Sequence, residues 1–251
     1  MVPVALPAAA RAACRFALDY ALPPRCPGCG VIVQEQHGFC LDCWGKMRFL
    51  GPPCCARCGA PFDHDRGEGA ECGACIAAPP PWDSARAVLA YGDVARTVAL
   101  RLKYGRRIGL ARLIAGHMAR HVLPDGRDAM LIMPVPLHRW RLWWRGFNQS
   151  ALIGGQLARL TGVAQDRDGL RRIRRTPPLR GMNARQRARA VSGAFALADG
   201  HDVRGRAVLL IDDIHTSGAT AAACARLLRQ KGAASVHLLC WARVLPEDAG
   251  D

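Results

Sequence analysis

The chain has 251 residues, half of them hydrophobic, and a formal net charge of +15; it can bury a full core and is too apolar to be a disordered tail. No stretch approaches the ~18 uninterrupted apolar residues that cross a bilayer, which excludes a membrane span. The charge excess is local: residues 1–80 set 7 basic against 7 acidic side chains, 81–130 set 9 against 4, 131–190 set 13 against 2, and 191–251 set 6 against 7.

The N-terminal stretch MVPVALPAAARAAC is apolar but has no charged leader, and Arg11 interrupts it before Cys14. Residues 8–21 therefore read as a short amphipathic helix and not as a signal sequence. A cytoplasmic location is the expectation, and with it a reducing environment in which the 12 cysteines stay as thiols or thiolates. Eight of them are patterned as Cys26-Pro-Gly-Cys29, Cys40-Leu-Asp-Cys43, Cys55-Ala-Arg-Cys58 and Cys72-Gly-Ala-Cys75. A C-x2-C knuckle lets two thiolates reach one tetrahedral ion, and two knuckles complete a four-sulfur Zn2+ site. Pairing neighbours leaves 10 and 13 residues between the knuckles of each site, which gives Cys26/Cys29/Cys40/Cys43 and Cys55/Cys58/Cys72/Cys75; a crossed pairing is also open. This segment has little apolar periodicity, so two structural zinc ions are expected to hold it together. Cys14, Cys54, Cys224 and Cys240 fall outside the pattern; the last two sit in apolar runs and read as core.

Past the linker AAPPPW (77–82) the periodicity changes. A strand over 87–91, helices over 94–105 and 109–123, and a proline-ended strand over 129–136 follow one another. A helix over 147–162, a basic region to about 190, a strand over 207–212, a helix over 219–232 and a strand over 235–244 complete the chain. Alternation of this kind predicts an α/β domain with a mainly parallel sheet and ligands at the carboxyl ends of its strands. The division is a first domain over 1–80 and a second over 81–251, the second expected to stand on its own strands and helices.

The chemistry concentrates at VLLIDDIHTSGAT (208–220). Asp212 and Asp213 close an apolar strand, and Thr216, Ser217, Gly218, Ala219 and Thr220 lead into a helix whose first N–H groups favour an anion. Carboxylates beside a phosphate site suit a ligand that carries phosphate together with vicinal hydroxyls or bound Mg2+, as a sugar phosphate does.

That stretch resembles the signature of the type I phosphoribosyltransferases, whose ligand is phosphoribosyl pyrophosphate (PRPP) with Mg2+. The resemblance implies that Asp212 and Asp213 contact the ribose hydroxyls and that 216–220 wraps the 5′-phosphate. Pro134-Val-Pro-Leu-His138-Arg139, Arg145-Gly-Phe-Asn-Gln149, LKYGRR (102–107) and the four knuckles are similar to one branch of that fold, the competence-associated ComF family. It departs from the family's pattern at Leu179, Met182 and Ala190. The implied architecture is a type I phosphoribosyltransferase-like domain preceded by a small double zinc ribbon. The equivalent loop of that fold binds pyrophosphate, which implicates His138 and Arg139, with Arg145 and Lys103 as further phosphate donors.

The acceptor nucleophile, and with it turnover, is not written in the sequence. An active phosphoribosyltransferase of nucleotide metabolism and a non-catalytic PRPP sensor are the alternatives to a role in DNA uptake alongside other uptake proteins. Between 131 and 190 every basic residue is arginine, interleaved with Trp140, Trp143, Trp144 and Phe147. Such a mixture contacts phosphates and stacks on unpaired bases, and Arg171, Arg172, Arg174 and Arg175 are its densest run. Single-stranded DNA is the partner expected from this pattern and from the resemblance; the bland alternative is a solvated face with the tryptophans partly in the core.

Overall fold

A computed structural model describes residues 23–122, 129–176 and 182–245. The helix expected over 8–21, Cys14, and 177–181 of the basic stretch lie outside these residues. Two one-turn helices, α1 (Leu41–Gly45) and α2 (Gly73–Ala77), carry the second knuckle of each cysteine set. The sheet strands are β1 (Ser84–Ala90), β2 (Met130–Pro134), β3 (Ala164–Gln165), β6 (Ala207–His215) and β7 (Ser235–Arg243), ordered β1-β7-β6-β2-β3 and parallel throughout. A small antiparallel pair, β4 (Leu170–Arg172) with β5 (Phe195–Leu197), stands apart from it.

The helices are α3 (Asp93–Lys103), α4 (Leu110–Met118), α5 (Arg139–Arg145), α6 (Gln149–Thr161), α7 (Ala184–Val191) and α8 (Ala219–Gln230). In α3 the spacing of Val94, Ala95, Val98, Ala99 and Leu102 buries one stripe, while Asp93 and Lys103 lie at the dipole ends that favour their charges. One side of the sheet packs α3, α4 and α6 around Leu102, Ile114, Ile153, Leu157 and Trp241. The other packs α8 around Val208, Leu210, Leu228 and Val236. β6, buried on both faces, reads as the continuous apolar run AVLLI. Several elements differ from the sequence expectation: β6 continues through His215, so the two aspartates stand inside the strand, 139–145 forms a helix where a loop was expected, and β3, β4, α7 and β5 form where no element was expected.

The ribbons close an edge. Leu50 N–H donates to Val88 O at 2.9 Å, Ala90 N–H donates to Arg48 O at 2.9 Å, and Phe49 bridges Leu89 antiparallel. Further along, Ala85 N–H donates to Arg57 O at 2.7 Å. Chain from the cysteine-rich segment thus pairs with the outer side of β1, which would otherwise offer free donors and acceptors to another strand. Arginines of the α/β domain bind knuckle carbonyls: Arg101 Nη1 donates to Pro27 O at 2.7 Å, Arg86 Nη1 to Ala56 O at 2.9 Å, and Arg243 to the Cys58 carbonyl. These contacts join the cysteine-rich segment to the outer side of β1, to α3 and to the end of β7.

The two knuckle glycines separate strain from docking. Gly30 (φ +89°) and Gly59 (φ +69°) both need the left-handed region, but a Cβ on Gly30 would meet nothing within 4 Å, whereas one on Gly59 would fall 2.4 Å from Ala85 O. Gly30→Ala should lose about 1 kcal/mol from the backbone alone, and Gly59→Ala about 2–4 kcal/mol from strain and overpacking together. Urea unfolding of the two variants with bound zinc measures the difference; equal losses would show that the edge docking contributes nothing.

Candidate functional site

At the carboxyl end of β6 the chain turns at Gly218 (φ +69°), the N-cap of α8, so the first N–H groups of that helix face the end of the sheet. A Cβ at Gly218 would lie 2.7 Å from His215 Cε1 and 3.0 Å from Trp82 Cη2, which leaves no room for a side chain. His215 meets Trp82 edge-on with centroids 5.6 Å apart. Asp213 is buried at 4% exposure. Its carboxylate is paired with Lys103 from the end of α3. Asp212 accepts from Ser150 Oγ at 3.3 Å and from the Asp213 N–H at 2.9 Å. Burial, with the charge of Asp213 beside it, pushes the Asp212 carboxyl up to about 7, against the opposing pull of Lys103.

The β2 end supplies the second half of the site. His138 is the N-cap of α5, its Nδ1 accepting the Trp140 N–H at 3.4 Å. Asn148 caps α6 through the Ser150 N–H at 3.0 Å and donates to Val135 O at 3.0 Å. Arg145 Nη1 donates to Gln149 Oε1 at 2.6 Å, and its guanidinium lies 5.1 Å from the Tyr104 ring centroid. Asn148, Gln149 and Arg145 thus brace the loop, while Arg139 opens onto a cleft with Arg167 and Arg171. Lys103 meets a carboxylate where a phosphate was expected.

Helix α5 buries no residue; Trp140, Trp143 and Trp144 are 58%, 79% and 71% exposed. The four arginines of 171–175 have different surroundings. Arg172 is half-buried, stacked 5.5 Å over the Phe195 ring and bonded to Thr176 Oγ1. Arg174 Nη2 donates to Ser192 O at 2.5 Å. Arg171 reaches Asp168 O at 3.4 Å, and both it and Arg175 are exposed.

The knuckles pair in sequence order: the sulfurs of Cys26, Cys29, Cys40 and Cys43 lie within 4.8 Å of one another, as do those of Cys55, Cys58, Cys72 and Cys75. Cys29 and Cys40 sulfurs are 3.5 Å apart, and Cys58 and Cys72 sulfurs 3.7 Å. Tetrahedral Zn–S bonds of ~2.3 Å require sulfurs about 3.8 Å apart, so the donor sets fit zinc. Burial raises Cys26, but the N–H groups of Cys40, Cys29 and Gly28 outweigh it and hold the thiol at about 6; Cys55 is likewise brought to about 6, by Cys58, Cys72 and Arg57. Burial and the neighbouring sulfurs push Cys43 and Cys75 up. Four thiolates cannot share such a site without a cation between them.

Ser150 and Trp82 are site residues that the sequence did not single out, and Tyr104 lies within the LKYGRR motif without having been named in it. Ser150 directly follows the FNQ motif, the one signal that could have found it. Among the described residues, no helix is long and apolar enough to cross a membrane.

Comparison with known proteins matches residues 17–76 to the double zinc ribbon domain and 152–246 to the phosphoribosyl transferase domain. The chain is 34% identical over 230 residues to the DNA utilization protein YhgH of Salmonella typhi, covering 89% of this chain and 99% of that protein. It is 28% identical over 226 residues to competence protein F of Haemophilus influenzae, covering 87% and 96%. Against competence protein ComFC of Bacillus subtilis it is 25% identical over 217 residues, covering 81% and 83%. Among solved structures, a hypoxanthine phosphoribosyltransferase of Staphylococcus aureus is similar with a TM-score of 0.38 and 13% identity, over 55% of this chain and 73% of that one.

Burial gives the site a pH signature. The raised Asp212 carboxyl, at about 7 when folded and about 4 unfolded, contributes stability that is complete below pH ~4 and lost as pH rises through about 7. Burial, then Arg243, holds His215 down at about 4, so its contribution is present above about 6.5 and lost as pH falls toward 4. The two oppose each other between these limits. Asp212→Asn removes one of them, and urea midpoints of the ligand-free variant should rise more steeply from pH 4.5 to 6.5 than those of the parent chain. Parallel profiles would mean that Asp212 is ionised throughout.

Proposed function

The chain belongs to the family of competence protein F and the DNA utilization protein YhgH, and on that premise we propose that it binds PRPP with Mg2+ and single-stranded DNA and acts in DNA uptake. The observation that carries the PRPP half is the pair Asp212 and Asp213 at the carboxyl end of the central strand, one turn before the Gly218-led start of α8. The carboxylates accept the ribose hydroxyls; the N–H groups and hydroxyls of 216–220 take the 5′-phosphate. Two adjacent carboxylates balanced by one lysine leave capacity for a divalent cation, so Asp212 and Asp213 would hold Mg2+, which would neutralise the pyrophosphate. Arg139 supplies the positive charge at the start of the loop after β2 and neutral His138 beside it a hydrogen-bond donor, and together they orient the pyrophosphate. Phosphoribosyl transfer requires positioning and charge stabilisation more than proton transfer.

Asp212→Asn together with Asp213→Asn should weaken PRPP–Mg2+ binding by about 2–4 kcal/mol, each charged hydrogen bond being worth roughly 1.5–3 kcal/mol. Calorimetric titration reads the loss, and pyrophosphate release in the same samples separates a transferase from a sensor. Unchanged affinity in the folded double variant would refute the ribose contact.

Exposed indoles beside exposed guanidiniums support the DNA half. Three tryptophans on one seven-residue helix, none in the core, suit bases stacked without regard to sequence, with Arg171 and Arg175 on phosphates. Arg172 and Arg174 hold internal bonds and contribute less. Log affinity for oligothymidylate should fall linearly with log salt, and Arg171→Gln with Arg175→Gln should flatten that slope by up to about 1.4 units at ~0.7 per phosphate. Trp143→Ala should weaken binding by about 1–3 kcal/mol and leave the slope unchanged. A slope unmoved by the arginine pair would reduce this face to solvated charge.

A further inference from the structure

Between α5 and the end of β4 lies a cleft of about 270 Å³ lined by Trp140, Arg141, Trp144, Arg172, Arg175 and Thr176, with His138 at its base. Three guanidiniums line it, and among the described residues no carboxylate does. Like charges gathered without a counter-ion repel one another, so the arrangement favours an anion. Arg172 is fixed there by Phe195 beneath it and by the bond to Thr176, itself 7% exposed. His138 is held below its ordinary range first by burial and then by the charges of Arg172, Arg139, Arg175 and Arg141, a measure of how much positive charge faces this point. Two indoles, 58% and 71% exposed, form the mouth. Flat apolar rings above clustered guanidiniums select a ligand with an aromatic plane joined to a phosphate.

We propose that this cleft binds one nucleotide unit, its base against Trp140 or Trp144 and its phosphate on Arg141, Arg172 and Arg175. It is separate from the phosphate loop of 216–220, none of whose residues lines it. His138 bridges Arg172 across the cleft and lies on the loop that follows β2, the strand paired with β6. A free base would need none of these charges. The inference rests on the PRPP reading only for its meaning: if PRPP occupies β6, the molecule presented to it is a phosphorylated base, either a free mononucleotide or a residue of an unpaired strand.

Deoxythymidine 5′-monophosphate, thymidine and inorganic phosphate, each titrated with tryptophan fluorescence and calorimetry, test the cleft in the full-length zinc-loaded chain. Saturable binding of the monophosphate at least tenfold tighter than of thymidine or phosphate is expected. Arg141→Gln with Arg175→Gln should weaken it tenfold or more while PRPP–Mg2+ affinity stays within about twofold. Trp140→Ala with Trp144→Ala should reduce it to the level of phosphate alone; these side chains are exposed, so the fold should persist. Asp212→Asn with Asp213→Asn should leave it unchanged, which keeps failure of the PRPP reading distinct from failure of this one. A 5′-phosphorylated oligothymidylate that displaces bound monophosphate one for one identifies a strand as the source; failure to displace it identifies a free nucleotide. No saturable binding by the parent chain, affinity unmoved by either double variant, or loss of PRPP alone in the arginine variant would overturn the proposal.

Discussion

Holding two adjacent carboxylates at the buried end of a central strand is the constraint around which this molecule is arranged. Asp212 and Asp213 would repel each other and resist burial if left alone. Three elements answer that strain: α3 supplies Lys103, α6 supplies the Ser150 hydroxyl, and the strand itself bends the Asp213 N–H onto Asp212. α3 cannot shift freely, because Arg101 on the same helix holds the carbonyl of Pro27. Stability of the acidic pair and seating of the first ribbon are therefore properties of one helix.

Arginine has a structural use here as well as an electrostatic one. The chain has 32 arginines and 3 lysines, and many arginines act as forks on main-chain carbonyls. Arg86, Arg101 and Arg243 seat the ribbons, Arg206 Nε reaches Ala129 O at 3.0 Å, and Arg229 Nη1 reaches Ala234 O at 2.7 Å. A planar guanidinium can satisfy carbonyls at a loop edge in a way an ammonium cannot. Net charge thus overstates the surface available to a polyanion, and Arg172 and Arg174 show why four consecutive-looking cations are not equivalent.

Local chemistry was legible in the sequence. Knuckle spacing marked the eight ligand cysteines and left their pairing to the structure, alternating periodicity gave the parallel sheet, and the Asp-Asp-to-Gly stretch marked the region where β6 gives way to α8, because each depends on neighbours a few positions apart. Contacts between distant segments were not legible. Nothing around Arg48-Phe49-Leu50 announces that it will pair with β1, and nothing near Lys103 announces Asp213. Helix α5 escaped for another reason: RWRLWWR has no stripe that faces a core, so periodicity had no purchase on it, and its form follows from the His138 cap and the Gly146 turn at φ +82°.

That last helix is the least economical part of the fold. Burying a tryptophan stabilises a protein by roughly 25 cal/mol for each Å² removed from water, yet three neighbouring indoles are left outside while Trp82 and Trp241 are buried at 6% and 0% exposure. Internal packing does not explain them: among the described residues their aromatic contacts are Trp140 with Trp143 at 6.3 Å and Trp144 with Tyr104 at 6.5 Å. Tyr104 follows Lys103 directly, and Arg145 lies over the same ring. The exposed helix is thus anchored at one end to the His138 turn and at the other to the residue next to the counter-ion of the acidic pair. An apolar face held in register with the acidic pair by such contacts is placed to present something to the end of β6, since a purely solvated helix would need neither the indoles nor the anchoring.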